Sequence, residues 1–217
     1  MCSSDLPQAV LHTDGVQAAC WLDLREVVLV TDVATFSAHK FGGPKGVGVM
    51  VVKSGTSLEP LIMGGGQERD RRSGTHNVAG IVATAAALRA TTEARTAESR
   101  RVSALKDELL STVLAGLDDV VETVPREASV PGVAHLCIGG VESEALLFLL
   151  DEAGVCASAA SACASGAIEM SHVLRAMGVD QRHARGALRL SLGHTTTRAD
   201  IEHAARAIIA AVSRLRK

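Results

Sequence analysis

The sequence predicts an α/β fold, because short apolar runs with glycine-rich or polar ends alternate with alanine-rich helical segments. Residues 9–13, 27–36 and 47–53 are predicted to be strands, and residues 78–89 are predicted to be a helix. A second helix over residues 98–117 has one apolar stripe and is expected to continue the first almost without a break. The first half of the chain is therefore expected to be a layered α/β domain.

A smaller α+β unit is expected after Pro131. Its predicted elements are a strand over residues 133–138, a helix over 143–152, short strands near Val155 and over 187–192, and a last helix opened by a capping box of Thr197 and Asp200. We therefore divide the chain into a domain of residues 1–95 and a second domain of residues 96–217.

The composition excludes several classes of function. A formal net charge of −2, 2% aromatic residues and the absence of tyrosine leave neither a basic field nor a stacking platform, so nucleic acid is a poor partner. The first residues lack the parts of a signal peptide, and the apolar stretches are too short to span a bilayer. Five cysteines without a CxxC pair indicate neither a disulfide framework nor a zinc site. We expect a cytoplasmic protein without a metal or a membrane partner.

The segment Ser37–Gly48 carries the strongest functional signal. It places Ser37, His39 and Lys40 after the apolar run of residues 27–31 and follows them with four glycines in seven residues. Ligands of α/β sheets bind at the carboxyl ends of strands, where glycine lets the backbone approach them closely. Lys40 is therefore expected to face a ligand, and a surface lysine on a Gly-Pro turn is the alternative.

Asp14 ends the first predicted strand, and Gln17 follows three residues later. A lysine with an aspartate is the pair that a pyridoxal phosphate site needs, because the lysine bonds to the cofactor and the carboxylate keeps the pyridine nitrogen protonated. Ser37, His39 and Thr75 carry groups that can donate hydrogen bonds to a phosphate. Taken alone, Asp14 would more often be a turn or helix-cap residue.

Motifs along nearly the whole chain resemble those of one enzyme family. They are HTDGVQ at residues 12–17, FSAHK at 36–40, GPKGVG at 43–48, GGGQE at 64–68, RSGT at 72–75, SACASG at 161–166, HVLRAMG at 172–178 and RLSLG at 189–193. In this order they resemble the cysteine desulfurases (NifS/IscS-like enzymes) of the class-V aminotransferase superfamily. The resemblance implies a fold-type I pyridoxal phosphate-dependent transferase. Residues 1–95 would then belong to an incomplete large domain, and residues 96–217 would form the small domain with the cysteine loop.

The resemblance also implies a role for each matching residue of the cofactor site. Lys40 would hold the cofactor and later move the α-proton of the substrate, and Asp14 would pair with the pyridine nitrogen. Gln17 would bond the ring hydroxyl, and Ser37 and His39 would hold the phosphate.

Three further residues are implied to act on the substrate or across a subunit boundary. Thr75 would reach the phosphate bound by the partner subunit, which implies a homodimer. Arg189 would bind the substrate carboxylate, since a planar two-pronged donor matches that group. Cys163 would attack the sulfur of L-cysteine, leaving L-alanine and a persulfide. The sulfur would then pass to a protein acceptor such as an iron–sulfur scaffold or to thiolation pathways.

Cys163 differs from the other cysteines in its surroundings. Cys20, Cys137 and Cys156 are expected to be small core residues. Cys163 stands among alanines and serines without a large apolar neighbour, and its segment resembles a mobile loop. Because a free thiol is only a few per cent thiolate at neutral pH, Cys163 would need activation by nearby cations or by the substrate.

The resemblance covers only the second half of a family member. The chain is therefore expected to be a fragment, inactive by itself, with residues 1–6 unrelated to the family. Asp70 and His194 depart from the family pattern.

Two rival functions stay open. Another class-V aminotransferase or a selenocysteine lyase would share Lys40 without needing Cys163, and a non-catalytic chain would keep the fold as a dimerisation or binding module.

Overall fold

The computed structural model describes residues 9–159 and 171–217. The chain divides into an N-terminal unit, Met1–Thr96, and a C-terminal unit, Ala97–Lys217. The long helix α2 (Val78–Gly116) begins in the first unit and ends in the second, which confirms that the two predicted helices run on as one. None of the helices in the described ranges is long and apolar enough to cross a membrane.

A three-stranded sheet forms the centre of the N-terminal unit. Its strands, in spatial order, are β1 (His12–Asp14), β2 (Val33–Ser37) and β3 (Gly48–Val52). β1 runs parallel to β2, with Asp14 opposite Thr35, whereas β3 runs antiparallel to β2, with Ser37 opposite Gly48. The carboxyl ends of β1 and β2 therefore lie at the same edge of the sheet.

The predicted strand over residues 27–36 is wrong in its first part. Leu24–Leu29 form helix α1, whose first turn is capped by the Asp23 carboxylate accepting from the Arg25 amide. Val28 packs against the core from this helix. The cap and this contact outweigh the strand propensity of the β-branched residues. The strand before Lys40 therefore begins only at Val33.

A buried apolar cluster covers one face of β2, whereas β3, at the edge of the sheet, is exposed on both faces. The buried cluster on the covered face consists of Ala19, Ala34, Phe36, Ala38 and Phe41. α1 and α2 pack against this cluster through Leu24 and Leu88. In contrast, β3 leaves the side chains of Val49, Met50 and Val51 exposed.

The C-terminal unit is built on an antiparallel sheet. Its strands, in spatial order, are β4 (Val120–Glu122), β5 (Val133–Ile138) and β6 (Ala187–Ser191). Its other helices are α3 (Ser143–Glu152), α4 (His172–Ala176), α5 (Gln181–Ala184) and α6 (Arg198–Leu215). β5 and α3 have the predicted bounds, and β6 lies within the predicted strand. β4, α4 and α5 were not predicted, and the strand near Val155 is reduced to a single bridge between Ser158 and Arg189.

Alternation along β5 separates two apolar layers of the C-terminal unit. Leu136 and Ile138 are fully buried, as are apolar residues of β6, α3 and α6, namely Leu188, Leu146, Leu150, Ile208 and Val212. Cys137 lies between them in sequence and packs instead with Leu174, Ala184 and Ala187 of α4, α5 and β6. The period of two that defines a strand places these two sets on opposite faces of the sheet.

Gly15→Ala is predicted to destabilise the N-terminal unit by about 1–3 kcal/mol. A Cβ atom at Gly15 would overlap the ring of Phe36, which is 6% exposed and has little room to move. The measurement is urea unfolding of the purified variant. Gly48→Ala is the control, because its Cβ would meet only the Phe36 carbonyl at an ordinary 3.5 Å. Equal stability of the two variants would contradict the packing argument.

Thr197→Ala is predicted to lower the free energy of unfolding of the C-terminal unit by about 1 kcal/mol at neutral pH. Thr197 Oγ1 accepts from the Asp200 amide at 3.3 Å, and the Thr197 amide donates to the Asp200 carboxylate at 2.8 Å. The Thr197 hydroxyl also donates to the Asp200 carboxylate at 2.8 Å, and the amide and hydroxyl bonds to the carboxylate together hold the pKa of Asp200 below its usual 3.8.

The contribution of this capping box is therefore present above pH 3.8 and is lost as the pH falls through the lowered pKa. The stability difference between wild type and Thr197→Ala should shrink in acid, and urea unfolding at several pH values measures it. Thr195→Ala serves as the control because Thr195 is exposed. A difference that stays constant down to acid pH would refute the coupling of Thr197 to the Asp200 carboxylate.

Candidate active site

Polar side chains gather at the edge where β1 and β2 end. Asp14 is the last residue of β1, and Ser37 is the last residue of β2. His39 and Lys40 lie in the 3₁₀ helix Ala38–Phe41 that follows directly. The parallel pairing of β1 with β2 therefore brings four of the predicted site residues to one edge of the sheet.

The 3₁₀ helix presents the Lys40 amine. Gly42 ends this helix with φ +83°, a conformation that favours glycine, and its amide donates to the Ala38 carbonyl. The Lys40 backbone is tied down by the Cys20 thiol, which donates to its carbonyl oxygen at 3.3 Å. The Lys40 side chain is exposed, and within the described ranges it forms neither a hydrogen bond nor an ion pair. Its amine is therefore free to react or to bind.

Ser37 and His39 form a donor pair beside this lysine. Ser37 Oγ lies 2.8 Å from His39 Nδ1. In one tautomer the ring donates to the hydroxyl, and in the other it accepts from it. In either arrangement at least one O–H or N–H group of the pair stays free to donate to an anion.

The Asp14 carboxylate is held by the turn that follows β1. Its Oδ1 accepts from the Val16 amide at 3.0 Å, and the Gly15 amide donates to the Thr35 carbonyl at 2.8 Å. His12 Nε2 lies 3.2 Å from Thr35 Oγ1. His12 was not predicted as part of the site, although it opens the same HTDGVQ motif.

Gln17 and Thr75 form no hydrogen bond to the described residues at this edge. Both side chains are exposed and form no hydrogen bond within the described part of the chain. Thr75 lies between β3 and α2, next to His76, which lines a cavity of about 690 Å³ with arginines 69, 71 and 72.

In the same loop Glu68, Arg69 and Asp70 have φ of 52°, 58° and 62°, so Asp70 is part of a left-handed turn.

The residues at the strand ends fit pyridoxal phosphate by their chemistry. An unpaired amine matches the cofactor carbonyl, a fixed carboxylate matches the pyridine nitrogen, and a hydroxyl–imidazole pair matches the phosphate. Lys40, Asp14, Ser37 and His39 supply these groups at one edge of the sheet.

Arg189 lies in the C-terminal unit, on β6. It pairs with His135 of β5, and its backbone is bonded in both directions to Ser158, at 2.6 Å and 3.1 Å. Arg189 is half-buried as a residue, and its guanidinium forms no ion pair within residues 9–159 and 171–217. No described residue therefore pairs with the N–H donors of this guanidinium.

The described cysteines differ from one another. Burial raises the pKa of the Cys20 thiol, although Arg95 acts in the opposite direction. Burial, together with Asp180, raises the pKa of Cys137 to about 11. Both are therefore thiols at neutral pH, as expected of core residues. Cys163 lies outside the described residues.

The prediction for Cys156 is wrong, because this residue is exposed. The prediction rested on the general preference of cysteine for apolar cores and not on a local pattern. The chain leaves α3 through Gly154, with φ +77°, and joins the sheet only at the Ser158 bridge.

Comparison with known proteins agrees with this architecture. The Mycobacterium tuberculosis protein named "IscS-like cysteine desulfurase" is 42% identical over 208 residues, which is 95% of this chain and 53% of that protein. A solved structure titled "NIFS-like protein" superposes with a TM-score of 0.85 at 34% identity, covering 98% of this chain and 55% of the other. The NifS-like protein from Rickettsia africae gives 0.81 at 30% identity, covering 93% and 53%.

The chain spans about half the length of the curated relatives it matches, which confirms that the motifs cover only part of a family member. The structural neighbours also confirm the predicted fold-type I architecture. Proteins of this family depend on pyridoxal phosphate. A family model described as "Aminotransferase class-V" matches residues 4–203. The chain therefore belongs to the class-V aminotransferase family.

Proposed function

We propose that this chain carries the cofactor site of a pyridoxal phosphate-dependent cysteine desulfurase. The observation that carries the proposal is the unpaired Lys40 amine at the sheet edge shared with the Asp14 carboxylate and the Ser37–His39 pair. The names of the relatives, several of which are cysteine desulfurases, support the choice of reaction. In this proposal the N-terminal unit belongs to the large cofactor-binding domain, and the C-terminal unit is the small domain.

Each candidate residue is assigned the role that the resemblance to the cysteine desulfurases implies. Lys40 binds the cofactor carbonyl and then moves a proton at the α-carbon of the substrate. Asp14, fixed by the Val16 amide, keeps the pyridine nitrogen protonated. Ser37 and His39 hold the phosphate, Gln17 bonds the ring hydroxyl, and Thr75 reaches the phosphate site of a partner subunit in a homodimer. When bound, the cofactor supplies an electron-withdrawing ring that stabilises negative charge at the α-carbon of the substrate.

The proposed reaction moves one sulfur atom from L-cysteine to Cys163. Arg189 holds the substrate carboxylate, and the Cys163 thiolate attacks the substrate sulfur. A sulfur–sulfur bond forms, the carbon–sulfur bond breaks, and its electron pair stays with the β-carbon, which takes up a proton. L-Cysteine and a thiol thus become L-alanine and a persulfide. The sulfur then passes to a protein acceptor such as an iron–sulfur scaffold, in the cytoplasm.

Lys40→Ala is predicted to abolish the visible absorbance of bound pyridoxal phosphate, because Lys40 is the amine that the described residues place directly after β2, beside the Ser37–His39 pair. The experiment uses a protein of the relatives' full length that contains this chain, and an absorbance spectrum with added cofactor. Lys45→Ala is the control and should keep the absorbance. Loss of the signal in Lys45→Ala alone would overturn the assignment of Lys40, and absence of colour in the wild type would favour the non-catalytic alternative.

Cys163→Ser is predicted to keep the cofactor absorbance and its spectral response to L-cysteine while releasing neither alanine nor sulfide. A hydroxyl does not accept the sulfur as a thiolate does. Alanine and sulfide are measured after incubation of the full-length protein with L-cysteine. The matched control is Cys156→Ser, which removes an exposed thiol near the same segment and should keep both products. Unchanged sulfide release by Cys163→Ser would favour another class-V reaction.

A further inference from the structure

A polar row crosses the C-terminal sheet at the level of Arg189. The row consists of Thr123, His135, Arg189 and Ser158. The Thr123 amide donates to the His135 carbonyl, His135 is the cross-strand partner of Arg189, and Ser158 is bridged to Arg189. Cross-strand partners project their side chains from the same face with Cβ atoms about 5 Å apart. His135 and Arg189 are therefore neighbours on the face that also carries Cys137.

Thr123 holds the imidazole of His135. Its Oγ1 lies 2.8 Å from His135 Nδ1. Burial, and to a lesser extent the positive charge of Arg189, lower the pKa of His135 below 6.5. Arg189 is the charged group of the described residues whose field acts on this ring. His135 is therefore uncharged at neutral pH, and its ring is fixed by a partner that carries no charge.

Arg189 contrasts with other half-buried arginines of the C-terminal unit. Arg101 pairs with Glu98 at 2.8 Å, and Arg126 pairs with Glu122 at 3.2 Å. Such pairing is the usual way to stabilise a cation that has lost part of its hydration. At Arg189 the cross-strand position that a carboxylate could occupy holds the neutral His135 ring instead.

We infer that His135 is a positioning residue for Arg189. Thr123 fixes the His135 imidazole, and this neutral ring stands opposite the guanidinium where an acidic side chain would pair with it. Arg189 therefore keeps its planar donors for the carboxylate of the substrate. The inference rests on the proposed function in one respect, namely that the ligand of Arg189 is an amino-acid carboxylate.

The first test is an NMR titration of His135 in the full 217-residue chain, with and without propionate as a simple carboxylate probe. A carboxylate bound to Arg189 neutralises the positive charge that, in addition to burial, lowers the pKa of His135, so propionate should raise this pKa. Sodium chloride at equal ionic strength is the control. In Arg189→Gln the pKa of His135 should be higher from the start and should not respond to propionate. No response in the wild type, or an equal response in Arg189→Gln, would overturn the inference.

The second test compares His135→Asp with His135→Asn. The aspartate places a carboxylate opposite Arg189 and should weaken propionate binding about tenfold, as followed by the Arg189 Nε–H signal. The asparagine keeps an uncharged polar side chain and should change the affinity by no more than about twofold. Equal affinities of the two variants for propionate would show that the absence of charge at position 135 does not matter for carboxylate binding by Arg189.

These measurements use neither cofactor nor turnover. A failure of the propionate response therefore refutes the role of His135, whereas a failure of colour or sulfide release refutes the proposed function.

Discussion

The parallel pairing of β1 with β2 is the constraint on which the candidate site depends. It places Asp14 and Ser37 at the same edge of the sheet, and the 3₁₀ helix that carries Lys40 begins at that edge, directly after Ser37. The pairing requires the chain to pass close to the Phe36 ring at Gly15, a position where a side chain does not fit. This close packing of Gly15 on a buried aromatic ring lies directly beside Asp14 of β1, and the β1–β2 pairing brings that carboxylate to the edge of Ser37 and of the 3₁₀ helix that carries Lys40.

Lys40 in the N-terminal unit and Arg189 in the C-terminal unit are each left without a charged partner by the described residues. Lys40 is followed by a glycine turn, and its backbone rather than its amine is bonded. Arg189 faces a neutral imidazole instead of a carboxylate. Because an internal ion pair would compete with a bound anion or carbonyl group, the lack of such a pair among the described residues keeps both side chains available for ligands. The uncharged partners Thr123 and Ser37 act within this arrangement by fixing imidazoles.

Sequence patterns predicted well those elements whose signals lie within one segment. The capping box of Thr197 and Asp200, the helix over 143–152 and the alternating strand over 133–138 have the predicted structure. The prediction of a strand over 27–31 was wrong because the Asp23 cap and packing against the core outweighed propensity. The prediction of a buried Cys156 was wrong because it rested on the general preference of cysteine for the core, whereas the chain after α3 leaves this residue exposed.

The sequence by itself determined the family, the order of the motifs and the identity of Lys40, Asp14, Ser37 and His39 as candidates, since these depend on residue types and spacing. Only the tertiary structure decided that Asp14 and Ser37 share an edge and that His135 stands opposite Arg189. Both juxtapositions join residues far apart in the chain. They are set by strand register, which depends on side-chain packing between segments rather than on any local pattern.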